Sequence, residues 1–205
     1  MRLETSILLV KVAFTLTIVL ALANLSQGAP ARLKHIQRAK TTEAFIWAAV
    51  DGNLRKMQFL LSQGTNSATE EDGEKALVAA TNFGQIRSIN FLLDHGVSAK
   101  KENGNEALFL AVEEEETGIV KALLRHGANV NARRSDGATP LMIACFYDTG
   151  EDGVVSQSSE SLKLLLLHKA DVKAKDNYGK TALMYLKNMP NAKIHKMLLN
   201  AGARQ

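Results

Sequence analysis

The sequence predicts an all-α solenoid of about five stacked helix pairs joined by short inter-repeat hairpin turns. Three observations predict it. A doubled apolar pair followed by glycine recurs at LLSQG (60–64), LLDHG (92–96), LLRHG (123–127) and LLNAG (198–202), and the same slot reads LLLHK at 165–169. The closing positions are spaced 32, 31, 42 and 33 residues apart. A second register, Gly73, Gly104, Gly137 and Gly179, opens the units with spacings of 31, 33 and 42. Third, apolar residues within the units follow a helical spacing, as in Leu54, Met57, Leu60, Leu61 and again Ile86, Ile89, Leu92, Leu93. Two marks that share one period define a repeat array, in which each unit buries its apolar face only by stacking on its neighbours.

Each unit reads as two helices. The first carries Ala76, Leu77 and Ala80, then Ala107, Leu108 and Ala111, then Pro140, Leu141 and Ala144, and the alanines let neighbouring helices approach closely. Thr139 before Pro140 fits an N-cap followed by the first helical position, where proline's missing N–H is not needed. The glycine after the second helix suits a left-handed C-cap. Lys169 fills that slot in the fourth unit and is expected to be left-handed there too. The polar stretch from Ala128 to Gly137 fits a turn or hairpin. The fourth unit is nine residues longer than units two, three and five, whose two glycines lie 23 residues apart. The insertion falls near 148–158, around Val154 to Ser159, between that unit's helices.

The 205 residues allow one domain or two small ones. The net charge of +4 is not a nucleic-acid signature. Residues 1–40 hold six Lys/Arg and one acid, whereas residues 41–205 hold 19 basic and 20 acidic groups, a balance of −1. A body of that charge lacks the dense basic face that nucleic acid needs.

The basic start flanks an apolar core, Val12 to Ala23, of twelve residues without a charge. That length suits a signal peptide better than a membrane span, which takes about 20 apolar residues. Ser26-Gln27-Gly28 is the preferred cleavage region, with Ala21-Leu22-Ala23 and Ala29-Pro30-Ala31 as alternatives, and an uncleaved anchor is the rival reading. The expected organisation is a signal peptide over 1–28, a basic flank over 29–40 and a repeat domain over 41–205. Its units cover about 41–71, 72–102, 103–135, 136–175 and 176–205. The periplasm is the expected compartment, with the extracellular space as the alternative.

A single cysteine, Cys145, excludes an intrachain disulfide and a multi-cysteine zinc site. Flanked by Ala144 and Phe146, it reads as a small buried residue. His95, His126 and His168 share one repeat slot. Adjacent helices pack about 8–10 Å apart, however, and ligands of one zinc must each lie within about 2.1 Å of it, so no metal is expected. No phosphate loop, metalloprotease helix or serine-nucleophile elbow is present, and neither catalysis nor a cofactor is expected.

The fourth opening, Asp136-Gly137-Ala138-Thr139-Pro140-Leu141-Met142-Ile143-Ala144, and the third ending, Leu123-Leu124-Arg125-His126-Gly127-Ala128-Asn129-Val130-Asn131-Ala132, resemble the ankyrin repeat, a 33-residue turn–helix–helix module. The resemblance spans about residues 41–205. It departs from the family's pattern: the histidine after Thr-Pro-Leu is replaced by Ile46, Val78, Phe109, Met142 and Met184, and the first unit has no opening Asp-Gly. The resemblance implies a monomeric protein that binds another protein, using residues at the end of each first helix and at the finger tips. Carried over by alignment, these are Asn82 and Phe83, Glu113 and Glu114, Phe146 and Tyr147, Asn188 and Met189, with Asn103, Asn105, Asp136, Tyr178 and Lys180 at the tips.

Phe83, Phe146, Tyr147 and Tyr178 would be exposed aromatics, the usual anchors of interfaces. The inter-repeat turns carry Lys100-Lys101, Arg133-Arg134, Lys173 and Lys175. The inter-helix turns carry Glu113 to Glu116, then Asp148, Glu151 and Asp152. The stack is therefore expected to be basic along one edge and acidic along the other, with Glu113 and Glu114 closing a helix and Glu115 and Glu116 opening the next. An apolar anchor beside that carboxylate run would suit a partner with a hydrophobic knob ringed by basic residues. Binding and inhibition of a periplasmic or co-exported enzyme, in an immunity-type role, is the expected function. An assembly scaffold for an exported enzyme and a secreted effector that engages host proteins are the alternatives.

Overall fold

The computed structural model describes residues 29–63, 70–147, 158–186 and 192–203. The signal-peptide reading, the unit-four insertion, Asn188 and Met189 lie outside them. The described residues hold ten helices and no strand: α1 (Ala29–Val50), α2 (Leu54–Ser62), α3 (Glu70–Asn82), α4 (Ile86–Asp94), α5 (Glu102–Glu113), α6 (Thr117–Arg125), α7 (Pro140–Tyr147), α8 (Ser158–Leu167), α9 (Ala182–Tyr185) and α10 (Ala192–Asn200). The chain divides into two compact units, Met1–Glu43 and Ala44–Gln205. None of the described helices is long and apolar enough to cross a membrane.

The first unit contributes the start of α1. That helix begins at Ala29, so the basic flank is helical. Pro30 falls in its first turn, where no N–H is needed, and no glycine or further proline interrupts the run to Val50.

Within the second unit the helices form two layers. First helices stack in the order α3, α5, α7, α9, and second helices in the order α2, α4, α6, α8, α10. The alanines determine the spacing of the first layer: Ala76, Ala80, Ala107, Ala111 and Ala144 are fully buried. The second layer buries one stripe per helix, Ile89 with Leu92, Ile119 with Leu123, Leu162 with Leu165, and Ile194 with Leu198, as the i, i+3 and i+4 spacing dictates. Cys145 is buried among these residues.

The helix ends follow one chemistry. Gly96, Gly127 and Gly202 are left-handed, and so is Lys169, with φ of 66°. In each case two backbone bonds close the helix, for example Ala170 N–H to Leu165 O and Lys169 N–H to Leu166 O, both 3.0 Å. This is the Schellman arrangement. Thr139 caps α7, its hydroxyl accepting the Met142 N–H at 3.4 Å. A second left-handed set closes the first helices, at Gly52, Gly84 and Glu115.

Two expectations are corrected here. Glu115 does not open a helix: it is the left-handed turn residue, φ 56°, between Glu114 as C-cap and Glu116 as N-cap. Hairpin-like turns form at Gly137 and Gly179, where Arg134 N–H bonds Ala138 O and Asp176 N–H bonds Lys180 O, each at 3.0 Å. Gly73 and Gly104 lie instead inside α3 and α5. Units two and three lack the Thr-Pro start, and their openings carry Glu70, Glu71, Asp72 and Glu102, carboxylates that favour a helix N-terminus. The helix therefore starts early and absorbs the finger.

Candidate functional site

The candidate residues separate into those the fold uses and those it presents. Glu113 belongs to the first group. Its carboxylate takes two hydrogen bonds from the Arg134 guanidinium, one of them at 2.9 Å. That guanidinium lies 4.5 Å from the centre of the Phe109 ring, which is buried. The hydrogen bonding to Glu113 holds the Arg134 pKa above its ordinary value against the opposing effect of burial. A bidentate pair of this kind is geometrically specific. Glu113 and Arg134 are thus joined, not held on opposite edges of the stack, and the two-edge charge picture fails at this pair. Arg133 donates to the Lys175 carbonyl, and Lys101 lies 3.5 Å from the buried carboxylate of Glu74. Asp148, Glu151 and Asp152 lie outside the described residues.

Asn103 and Asn105 are not finger tips, because α5 begins at Glu102. Asn103 donates to Glu74 at 2.9 Å and ties unit three to unit two. The Asn105 side-chain oxygen is buried without a hydrogen-bond partner. Asp136 is a true tip residue, and its carboxylate takes the Ala138 N–H at 2.9 Å. Its carbonyl takes the Asn177 N–H at 2.9 Å, so the fourth and fifth fingers are bonded to each other. Asn131 adds to this seam through Asp171 N–H at 2.8 Å.

The presented residues gather at units four and five. Phe146, on α7, is 53% exposed, and Tyr178, at the finger tip, is 76% exposed. Tyr147 ends α7, and its side chain lies outside the described set. The Phe146 ring meets the Tyr185 ring edge-on at 6.2 Å, and the Lys180 ammonium lies 5.5 Å from the centre of the Tyr185 ring. Tyr185 in turn donates its hydroxyl to Asp176. Asp176 is buried and also takes the backbone N–H groups of Tyr178 at 2.9 Å and Lys180 at 2.8 Å. Burial would raise its pKa, but these hydrogen bonds outweigh burial and hold the carboxyl below the ordinary aspartate value. The same bond to Asp176, with burial, pushes Tyr185 up to about 12.

Phe83 and Glu114 are exposed in the turns after α3 and α5, away from this hub. Tyr185 and Asp176 were not singled out from the sequence, and Arg134 was read there only as part of the basic edge. Asp176 could have been, since Asp176-Asn177-Tyr178-Gly179 repeats the Ser135-Asp136-Gly137 turn signal one unit later. The three repeat-slot histidines have local roles. His95 bonds the Phe91 carbonyl at 2.7 Å, His168 bonds the Leu164 carbonyl at 2.9 Å, and His126 faces Asp94 at 3.7 Å.

A stack of helix pairs with bonded fingers is the architecture of an ankyrin-repeat protein. Residues 96–156 match the family described as "Ankyrin repeats (3 copies)" and residues 136–177 the family described as "Ankyrin repeat". The chain is therefore an ankyrin-repeat solenoid. It is 32% identical over 127 residues to Putative ankyrin repeat protein FPV031 of Fowlpox virus (strain NVSL), covering 59% of this chain and 35% of that protein. It is 31% identical over 170 residues to Ankyrin repeat and SOCS box protein 6 of Homo sapiens, covering 76% of this chain and 38% of that one. Neurogenic locus notch homolog protein 2 of Homo sapiens matches at 30% over 162 residues, 77% of this chain and 6% of the relative. The chain spans well under half the length of each of these relatives.

Proposed function

We propose that this ankyrin-repeat interaction module is a non-catalytic binder that acts outside the cytoplasm and inhibits an exported enzyme, gripping it with units four and five. The observation that carries the binding role is the aromatic set of Phe146, Tyr185 and Tyr178: the exposed Phe146 ring packs edge-on against the half-buried Tyr185 ring, Asp176 takes the Tyr185 hydroxyl, and the exposed Tyr178 is tied to Asp176 through its backbone N–H. Side chains that are ordered before binding lose little entropy on binding, and exposed aromatics anchor interfaces. The apolar core at Val12–Ala23 supports action after export.

The test is site-specific photocrosslinking in the exported fraction, with a benzoylphenylalanine at position 178 and a control at position 56 on α2. Crosslinking from 178 and not from 56 supports the reading, with the purified pair showing reduced enzyme activity. Crosslinking from 56 alone overturns the site, and a partner whose activity rises identifies a scaffold instead. A product found only in the cytoplasm overturns the compartment.

A further inference from the structure

The charge of this chain changes sign along the repeat array. Residues 70–157 hold eight Lys/Arg and fifteen Asp/Glu, a balance of −7, whereas residues 158–205 hold nine Lys/Arg and three Asp/Glu, a balance of +6. The three carboxylates of the second stretch are all engaged within it. Glu160 pairs with Lys163, Asp171 takes the Lys173 N–H at 2.9 Å, and Asp176 takes Tyr185 and two backbone N–H groups. Lys173, Lys175 and Lys180 are exposed, and none of them makes an ion pair among the described residues.

We propose that the patch of Phe146, Tyr178 and Tyr185 with Lys173, Lys175 and Lys180 receives an acidic segment of the partner protein, an apolar or aromatic side chain flanked by carboxylates. The inference rests on the binding role proposed above and names the chemistry of the partner. Its basis is charge complementarity at a built aromatic site. The Lys180 ammonium stands over the Tyr185 ring, and that ring meets Phe146, so cation and apolar surface occupy one place. An arriving carboxylate finds exposed ammonium groups that form no ion pair among the described residues. The proposal departs from the expectation of a basic partner, which rested on the run Glu113 to Glu116, of which Arg134 holds Glu113.

The neighbouring stretch of −7 limits the length of the anion. A nucleic acid or an anionic membrane surface extending past the patch would come within a Debye length, about 8 Å at physiological salt, of the acidic units. A short acidic segment need not. Opposite charge at the rim speeds encounter and makes it salt-dependent, while the aromatic anchor holds the complex.

Random 16-residue peptides displayed on phage and selected on the full chain at about 50 mM salt test the proposal. Selected peptides should carry net negative charge around a tryptophan, phenylalanine or leucine. Reversing the three lysines (Lys173→Glu, Lys175→Glu, Lys180→Glu) should weaken their binding at least about thirtyfold at that salt, and less than about threefold at 500 mM. Lys121→Glu on α6 should leave it unchanged, and circular dichroism checks that each variant folds. Peptides that are net basic, that ignore the lysine reversals, or that fail to enrich overturn the proposal. So does lysine-dependent binding of a 12-nucleotide RNA or of phosphatidylserine vesicles tighter than that of any peptide, or low-salt self-association that the reversals abolish. Crosslinking from position 178 to a basic partner surface would sink this inference and leave the binding role standing. Absence of crosslinking at both positions would sink both.

Discussion

Lys169 gives a direct measure of how strongly the repeat dictates its own backbone. It closes α8 with φ of 66°, at the slot that holds Gly96, Gly127 and Gly202 in other units. The two bonds that close the helix, from Lys169 and Ala170 N–H, need that left-handed residue. A Cβ in this conformation costs about 1–2 kcal/mol. Lys169→Gly removes that strain, but it also frees the unfolded chain, which takes back about 0.4–1 kcal/mol. The net expectation is a gain of about 1 kcal/mol. With a urea slope of about 2 kcal/mol/M, typical of a small domain, the denaturation midpoint rises by about 0.5 M. Lys169→Ala separates backbone from charge. It removes the ammonium but keeps the Cβ, so it should show none of the gain. The side chain of Lys169 is exposed, which leaves no packing loss to mask the effect. An unchanged or lower midpoint for the glycine variant, or an equal gain for the alanine variant, refutes the reasoning.

Four further outcomes are expected. Gly104→Ala should destabilise by about 2 kcal/mol or more in the same assay, because its Cβ would lie 2.2 Å from the Ala99 carbonyl oxygen, and backbone cannot yield as a flexible side chain does. A double-mutant cycle of Glu113→Ala and Arg134→Ala should give a coupling of about 1 kcal/mol, reduced from the value for a fully buried charged hydrogen bond by partial solvent access, and Arg134→Lys should recover little of it. Tyr185 is raised to about 12 in the folded state against an unfolded value near 10, so its contribution is complete below pH 10 and lost as pH rises through 12; melting curves across that range should fall for the native chain and show a shallower fall for Tyr185→Phe. Asp176 is depressed, so its contribution is present above the unfolded aspartate value of about 3.9 and lost as pH falls through the lower folded one, and Asp176→Asn should flatten the acid limb of the same measurement.

The periodic part of the fold was legible because each repeat obeys the same local rules. The apolar stripe of Ile86, Ile89, Leu92 and Leu93 and the C-cap slot are short-range features, carried by residues a few positions apart. The Schellman closure needs a left-handed residue whatever its side chain, which is why Lys169 could be placed from glycines elsewhere. The buried Cys145 and the Thr139 cap were legible for the same reason. What remained hidden lies between residues distant in sequence or depends on competition between two local states. Glu113 meets Arg134 across 21 residues and Asn103 meets Glu74 across 29, so neither pairing leaves a mark in the neighbouring sequence.

The sequence by itself determined that this protein is a stack of helix pairs, where each second helix ends, and which side chains face the core. Only the tertiary structure decided which polar groups the stack engages and which surface it leaves exposed. Glu113, Asn103 and Asp136 look like recognition residues by position, yet the fold engages each of them in a bond that holds units or turns together. Tyr185 acquires its place because α9 brings it against Phe146 from the neighbouring unit and against Asp176 from its own finger. The physical reason is that a helix or a cap is stabilised by neighbours along the chain, whereas a surface is what remains once stacked repeats have satisfied their polar groups against each other.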